Sequence, residues 1–253
     1  MSRRAFIFAL GGAAVWPLAA QDRHVVFLGG DGGNNDLFVQ PEINSYQDIR
    51  GKTVGVDVPN TAYALLLYKM LDMKGVKKGE YEVKAIGGTF QRVEAMLKDK
   101  SIVGSMLNPP FAIRAEREGL KNLGSAVAVT GPYQAGAAWA LRQWAQTNSD
   151  TLVKYIQAHV EGLRWALDPS NKAKATSILA ERLRLNNDVA ARAYEMGLKP
   201  ESGFAKDAKF NIEGFRNVLT LRADVLGTWG GPPPAPEKYL DMSYYERALA
   251  GLS

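Results

Sequence analysis

The fold of this chain follows from residues 51–75, which read GKTVGVDVPNTAYALLLYKMLDMKG. The run Thr53–Val56 is short, apolar and rich in β-branched residues, which predicts a buried strand. A polar turn follows, and apolar residues then recur at helical spacing over 62–73, with Gly75 placed to end the helix. This order of strand, turn and helix predicts one βα unit.

The same alternation continues towards residue 135. Three more apolar runs predict strands at 83–86, 102–107 and 126–129, and the pattern over 90–97 predicts a second helix. Alternating strands and helices are typical of a parallel sheet with helices on both faces. We therefore predict a complete α/β unit over residues 51 to about 135.

From residue 148 onward the pattern is almost purely helical. A strong amphipathic pattern predicts a long helix over 152–167, and further apolar positions predict three helices around 178–183, 189–194 and 215–225. Glycine and proline dominate 230–236, which predicts a surface loop before a short tail.

Polar side chains follow the predicted strands at their carboxyl ends. Asn60 and Thr61 follow the first strand, Thr89 the second and Asn108 the third. Ligands of open α/β sheets bind at this edge, where helix N-termini present unpaired N–H groups. Each residue could simply cap its helix, but their shared register favours a common small-molecule cleft. Tyr133, after the fourth run, is either a further cleft residue or a packed loop tyrosine.

A glycine-rich loop precedes the predicted sheet at residues 28–39. It contains Asp31, Asn34 and Asn35 among four glycines, and its exposed backbone could hold a polar ligand. The loop lacks the spacing of a dinucleotide fingerprint, a Walker loop or a calcium loop.

Composition excludes several kinds of chemistry. The chain has no cysteine, which excludes thiol nucleophiles, disulfides and thiolate metal sites. It has only two histidines. His159 falls on the apolar stripe of the predicted helix 152–167, which favours a packed histidine over a ligand. The charges are nearly balanced and scattered, so no nucleic-acid partner is expected. We predict no catalytic residue, metal or cofactor.

Residues 1–20 have the layout of an export signal. Arg3 and Arg4 precede a short apolar run, and Pro17-Leu18-Ala19-Ala20 provides a small-residue exit. The arginine pair favours a twin-arginine leader cleaved near Ala20 and a periplasmic location. An ordinary Sec leader and an uncleaved anchor are the alternatives.

The stretch SYQDIRGKTVGV, residues 45–56, resembles a segment of periplasmic substrate-binding proteins of ABC importers in the nitrate/sulfonate/taurine group. In that family the segment leaves the first lobe and begins the second. Residues 87–92, 108–110 and 137–142 fit the same layout. The resemblance covers roughly residues 25–250 and implies the two-lobed, α/β type II periplasmic binding protein fold.

Lobe boundaries and partners are implied by the same resemblance. Lobe one would comprise residues 21–50 and 138–253, incomplete and mostly helical, and lobe two residues 51–137. Asn60, Thr61, Thr89 and Asn108 would face the ligand from lobe two, and the loop from Asp31 to Asn35 from lobe one. The expected partners are a small polar or anionic solute and an inner-membrane ABC permease, and the expected state is a monomer.

One departure from the family concerns lobe one. Family members open with two or three βα units before the segment at 45–56, whereas barely fifteen residues separate Ala20 from Asn35. The sequence thus predicts a lobe one truncated at its N-terminal side, a shallow cleft and exposed apolar surface beside the helix 152–167. A non-binding remnant is one alternative function. An enzyme related to the thiamine-pyrimidine synthases is another, although those enzymes need a histidine donor and a cysteine-rich iron site, whereas this chain has no cysteine and two poorly placed histidines.

Overall fold

The computed structural model describes residues 24–252, so the predicted leader lies outside the described residues. A five-stranded sheet forms the larger of two sheets, in the order β4-β3-β5-β2-β6. Its strands are β2 (Asp36–Val39), β3 (Thr53–Val56), β4 (Glu82–Ala85), β5 (Ile102–Leu107) and β6 (Lys121–Ser125).

The large sheet is mixed, whereas the sequence predicted parallel strands throughout. Strand β3 pairs in parallel with β4 and β5, as expected, but β2 runs antiparallel to both β5 and β6. The predicted boundary assigned residues 36–39 to lobe one, and the structure places them inside this sheet. Leu37 and Val39 are fully buried there, because β2 is covered on both faces.

The predicted strand at 126–129 is wrong. Residues Ala126–Thr130 form a short helix, α4, and the strand before it is β6. Val127 and Val129 pack against the core beside the helix α1 (Ala62–Met73). The periodicity of this short apolar run fits a strand or a helix, so these tertiary contacts decide its secondary structure. Gly131 ends α4 with φ of 84°, a conformation that favours glycine.

Helices cover both faces of the large sheet. Helices α1 and α4 lie on one face, and α2 (Thr89–Lys98) and α3 (Phe111–Arg117) lie on the other. We call residues 36–130, with this sheet and these four helices, the large lobe.

A two-stranded sheet organises the rest of the chain. In it β1 (His24–Gly29) pairs antiparallel with β7 (Ala137–Leu141). The predicted helical region is confirmed, and its helices are α5 (Arg142–Thr147), α6 (Ser149–Leu167), α7 (Lys172–Leu183), α8 (Asn187–Gly197), α9 (Ile212–Leu226) and α10 (Ser243–Ala250). We call β1, β7, α5–α8 and α10 the helical lobe.

The apolar stripe of α6 is covered, contrary to the expected exposed surface. Leu152, Ile156 and Val160 are fully buried against β1 and α10. Trp165, at the end of the helix, is 41% exposed. The C-terminal helix therefore supplies the cover that the sequence did not reveal.

Helix α9 packs on the large lobe rather than on the helical lobe. Leu221 is buried in the core cluster of α1, and Val218 and Val225 pack against the same cluster. The predicted boundary assigned all of 138–253 to lobe one, so α9 is a second segment that the structure places elsewhere. Within residues 24–252, no helix combines the length and apolar character needed to cross a bilayer.

Candidate functional site

The carboxyl ends of β3, β4 and β5 meet at one edge of the large sheet, as the sequence predicts. At the end of β3, Thr61 caps α1: its hydroxyl accepts a hydrogen bond from the Ala64 N–H at 3.3 Å and donates one to Asp57. Beside it, Oδ1 of Asn60 is buried and has no hydrogen-bond partner within residues 24–252. Thr61 is therefore a cap, and Asn60 retains an unused acceptor.

The ends of β4 and β5 are joined through Thr89 and Asn108. The Thr89 hydroxyl donates a hydrogen bond to Oδ1 of Asn108 at 2.8 Å, and both residues are half-buried. These two predicted site residues are thus brought together at the N-terminus of α2, where they are accessible to a ligand.

Arg92 lies beneath this pair and was not predicted. Its side chain is 1% exposed and donates to the carbonyls of Gly87 at 2.6 Å and Met106 at 3.0 Å, and to the Thr89 hydroxyl at 3.2 Å. Its Nε is buried without a partner, and no carboxylate within residues 24–252 lies within 4.0 Å of the guanidinium. Burial lowers the pKa of Arg92, yet the residue remains charged. The strand ends therefore carry a positive charge without a direct counter-ion.

Tyr63 connects this charge to the rest of the cleft. The Arg92 guanidinium carbon lies 5.2 Å from the centroid of the Tyr63 ring, a cation–π contact. Burial raises the pKa of Tyr63 to about 12, with Arg92 acting in the opposite direction and Asp31 and Asp57 adding to the rise. Tyr63 thus contacts the buried cation Arg92, and the charge of Asp31 acts on its hydroxyl as well.

The loop 31–35 does not act as a unit. Asn34 faces the helical lobe, where its amide donates to the Met196 carbonyl at 3.1 Å and its Oδ1 accepts from the Ser202 hydroxyl at 2.6 Å. Both ends of the Asn34 side chain are therefore used in packing, and its predicted ligand role has no support in the geometry.

Asp31 stabilises the turn of this loop. Its Oδ1 accepts from the Gly33 N–H at 2.8 Å, and its backbone carbonyl accepts from Ala135 and Gly136. Burial raises the pKa of the Asp31 carboxyl. No basic side chain within residues 24–252 forms an ion pair with this carboxylate.

Asn35 and Tyr133 meet beside Gly33. A Cβ placed on Gly33 would lie 3.2 Å from Nδ2 of Asn35 and 3.7 Å from Cδ1 of Tyr133, and Gly33 has φ of +80°. The side chains of Asn35 and Tyr133 are only 6% and 4% exposed, and burial raises the pKa of Tyr133 to about 12. Gly33 is therefore required by both the backbone conformation and the space.

Three of these side chains have unused polar groups. Among residues 24–252, no hydrogen bond is found for the Asn35 amide or for the hydroxyls of Tyr63 and Tyr133. None of these three groups is among the fully buried side-chain atoms without a partner in the described residues, so their polar atoms reach solvent-accessible space and are open to a ligand. This cluster, which we call the cleft, therefore provides hydrogen-bonding capacity for a polar ligand.

Sequence reasoning missed Arg92 and Tyr63. Arg92 falls on the same helical face as the buried Val93 and Met96, so a charge at an apolar position was the available signal. Tyr63 follows directly after the predicted N-terminus of α1, and nothing distinguished it from a core aromatic residue. The described residues contain no group of three or more potential ligands that could hold a metal ion.

Neither protein-family models nor curated protein sequences gave a match to this chain. Solved structures did give matches. The ligand-binding component of an ABC-type import system from Staphylococcus aureus, solved with zinc bound, is 15% identical with a TM-score of 0.71, over 89% of this chain and 74% of that chain. The periplasmic aliphatic sulphonate binding protein SsuA from Escherichia coli is 17% identical with a TM-score of 0.65, over 89% and 70%.

An enzyme also shares the architecture. The desulfurization enzyme DSZB is 12% identical with a TM-score of 0.64, over 93% of this chain and 82% of that chain. At such identities a structural match shows the fold and leaves activity open. The fold implied by the resemblance to the nitrate/sulfonate/taurine group is confirmed: this chain has the two-lobed α/β fold of the substrate-binding proteins of ABC importers.

Proposed function

We propose that this protein is the extracytoplasmic solute-binding component of an ABC importer. It captures a small polar or anionic organic solute in the cleft and delivers it to a permease in the inner membrane. The observation that carries the proposal is the set of solvent-accessible polar groups of Asn35, Tyr63 and Tyr133, which have no hydrogen-bond partner within residues 24–252. The fold shared with import proteins supports this function.

Charge at the cleft supports the choice of solute. Arg92 contributes a positive charge below Thr89 and Asn108, and the N-termini of α1 and α2 add partial positive charge at the same edge. A solute with an anionic or strongly polar group would find complementary charge there. Asn60 adds a buried acceptor for a donor group.

The test is a ligand screen followed by calorimetry. Purified protein is screened by thermal shift against small sulfonates, carboxylates, inorganic anions, amino acids and heterocycles, and positives are titrated. Tyr63→Phe and Tyr133→Phe remove hydroxyls that have no protein partner, so each should weaken binding by about two- to tenfold with little loss of stability.

Tyr194→Phe is the matched control. The Tyr194 hydroxyl donates to the Ala166 carbonyl at 2.8 Å, away from the cleft. We expect this variant to lower stability and leave affinity unchanged. If no solute in the panel binds saturably to well-folded protein, the alternative of a non-binding remnant takes precedence.

An enzyme is the second candidate, because DSZB shares the fold. The chain has no cysteine, and His159 lies on α6, stacked on Tyr155 with 6.3 Å between ring centroids, outside the cleft. Mass spectrometry of the bound solute before and after prolonged incubation separates the two functions. Unchanged solute supports a binding protein, and a new product supports an enzyme.

A further inference from the structure

A groove of about 300 Å³ lies between α3 and α8, outside the cleft. Its floor is apolar and belongs to the large lobe, where Phe38, Ala112 and Ile113 are only 1–3% exposed. Residues of α8 and of the turn that follows it form the opposite wall. None of the residues that line the groove belongs to the cleft or was predicted as a site residue. The groove is therefore a second candidate binding site.

Most of the charged side chains around the groove already have partners. Arg192 of α8 pairs with Glu116 of α3, and Glu195 of α8 pairs with Lys172 at 3.0 Å. A side chain that is already ion-paired adds little further attraction for a ligand. The charge available to a ligand must therefore come from the other lining residues.

Two charges of opposite sign remain, those of Asp36 and Lys199. Asp36, at the start of β2, accepts a hydrogen bond from the Asn122 amide at 2.7 Å, and no basic side chain within residues 24–252 forms an ion pair with it. The Lys199 ammonium, on the wall formed by α8, has neither an ion pair nor a hydrogen bond within the same residues. The groove thus has one free anion and one free cation.

A zwitterion is the kind of ligand that matches this pair of charges. Its ammonium group would pair with Asp36 and its carboxylate with Lys199, and charge-assisted hydrogen bonds of this kind are stronger than neutral ones. An apolar side chain would be covered by the floor of the groove. Ligand pockets measure roughly 300–1,000 Å³, so a groove of about 300 Å³ suits a molecule the size of a single amino acid.

We propose that this groove binds a zwitterionic α-amino acid with an apolar side chain. Asp36 binds its ammonium group and Lys199 binds its carboxylate. The groove lies beside the loop 31–35, because the Met196 carbonyl in its wall accepts a hydrogen bond from the Asn34 amide at 3.1 Å. The ligand contacts both lobes there. This site does not rest on the proposed function, since it shares no residue with the cleft.

Leucine, leucinamide and N-acetylleucine are the probes. Leucinamide lacks the carboxylate, and N-acetylleucine lacks the ammonium group. Each is titrated into the full chain by calorimetry at about pH 6, where the amino group of leucinamide is protonated. Leucine should bind about tenfold more tightly than either analogue, the usual effect of one charge-assisted hydrogen bond. The methyl NMR signals of Ile113 should shift on addition of leucine, which locates the ligand.

Two charge-removing variants test the assigned roles. Lys199→Met should remove the advantage of leucine over leucinamide, and Asp36→Asn should remove its advantage over N-acetylleucine. An asparagine at position 36 can still accept from Asn122, so the fold should be retained. Lys154→Met is the matched control, since Lys154 is exposed on α6 and does not line the groove. It removes the same charge and should leave both affinity ratios unchanged.

Absence of saturable leucine binding would overturn the groove site, and so would leucine binding that neither Lys199→Met nor Asp36→Asn alters. Leucine binding that is weakened by Tyr63→Phe rather than by these variants would assign the amino acid to the cleft. That result would overturn the groove site and support the proposed function. A cleft that binds no solute leaves the groove titrations unaffected, so the two failures are distinguishable.

Discussion

The hydroxyl of Thr89 donates a hydrogen bond to Oδ1 of Asn108 at 2.8 Å, which ties the first turn of α2 to the end of β5. The same hydroxyl accepts a hydrogen bond from Arg92 at 3.2 Å. The Thr89 hydroxyl thus connects the buried guanidinium of Arg92 to the side-chain amide of Asn108 at the edge of the cleft. Substitutions here should affect stability as well as binding.

Thr89→Val should lower the free energy of unfolding by about 1–3 kcal/mol, because valine has the same shape and removes both hydrogen bonds. Thr89→Ser keeps the hydroxyl, so its free energy of unfolding should be close to that of the parent protein. Urea denaturation of the two variants provides the measurement. Equal stability of the valine and serine variants would show that these hydrogen bonds contribute nothing net.

Arg92→Met should destabilise the large lobe, because the carbonyls of Gly87 and Met106 lose their guanidinium donor. Each carbonyl left unpaired costs about 1–3 kcal/mol. Arg92→Lys keeps the charge but lacks the planar fork that reaches both carbonyls, so an intermediate loss is expected. If the methionine variant is as stable as the parent in urea, the cost of burying the charge cancels its hydrogen bonds.

Much of the architecture was predictable from the sequence. Thr53–Val56 and Ile102–Leu107 were identified at their observed bounds, because strands buried on both faces are continuous apolar runs between turns. Residues 126–129 were wrongly predicted as a strand, because four apolar residues can form a strand or a helical turn. Contacts with α1 select the helix.

The candidate site was less predictable. Thr89 and Asn108 were identified by register, which the sheet preserves. Asn34 was assigned to the ligand although its bonds go to Met196 and Ser202, because loop sequence does not reveal which lobe a side chain faces. Arg92 was missed although its charge at an apolar helix position was an available signal.

Asp31→Asn should change the pH dependence of stability. Burial raises the pKa of the folded-state carboxyl, so the native state favours the protonated form. The stability that Asp31 contributes is therefore present below its unfolded pKa and is lost as the pH rises through the raised value. Asparagine stays neutral and can still accept from the Gly33 N–H.

The unfolding free energy of Asp31→Asn relative to the parent should thus increase as the pH rises through that window. Urea titrations at several pH values measure this difference. A difference that does not vary with pH would mean that the pKa of Asp31 is the same in the folded and unfolded states.

Leu221→Ala should lower the unfolding free energy by about 2–5 kcal/mol, the usual cost of a cavity in a core. Its neighbour Thr220 is exposed, so Thr220→Ala should change stability by no more than about 0.5 kcal/mol. Thermal and urea denaturation measure both variants. Equal changes in unfolding free energy for the two variants would indicate that α9 is not an integral part of the large lobe.

Replacing Arg3 and Arg4 together by lysine should abolish export if the twin-arginine route is used. The measurement is the periplasmic yield of the mature protein, together with its N-terminal sequence, expected at or near Gln21. Unchanged yield would instead indicate the Sec route.

The position of α9 late in the chain has a consequence for folding. Leu37 and Leu221 share one core cluster, so that core unites residues from near both ends of the chain. Contacts of such high sequence separation slow folding, and α1 keeps an uncovered apolar face until α9 has been synthesised. During that interval we expect the nascent chain to be prone to aggregation, and a stop codon after α8 should make this exposure of α1 permanent.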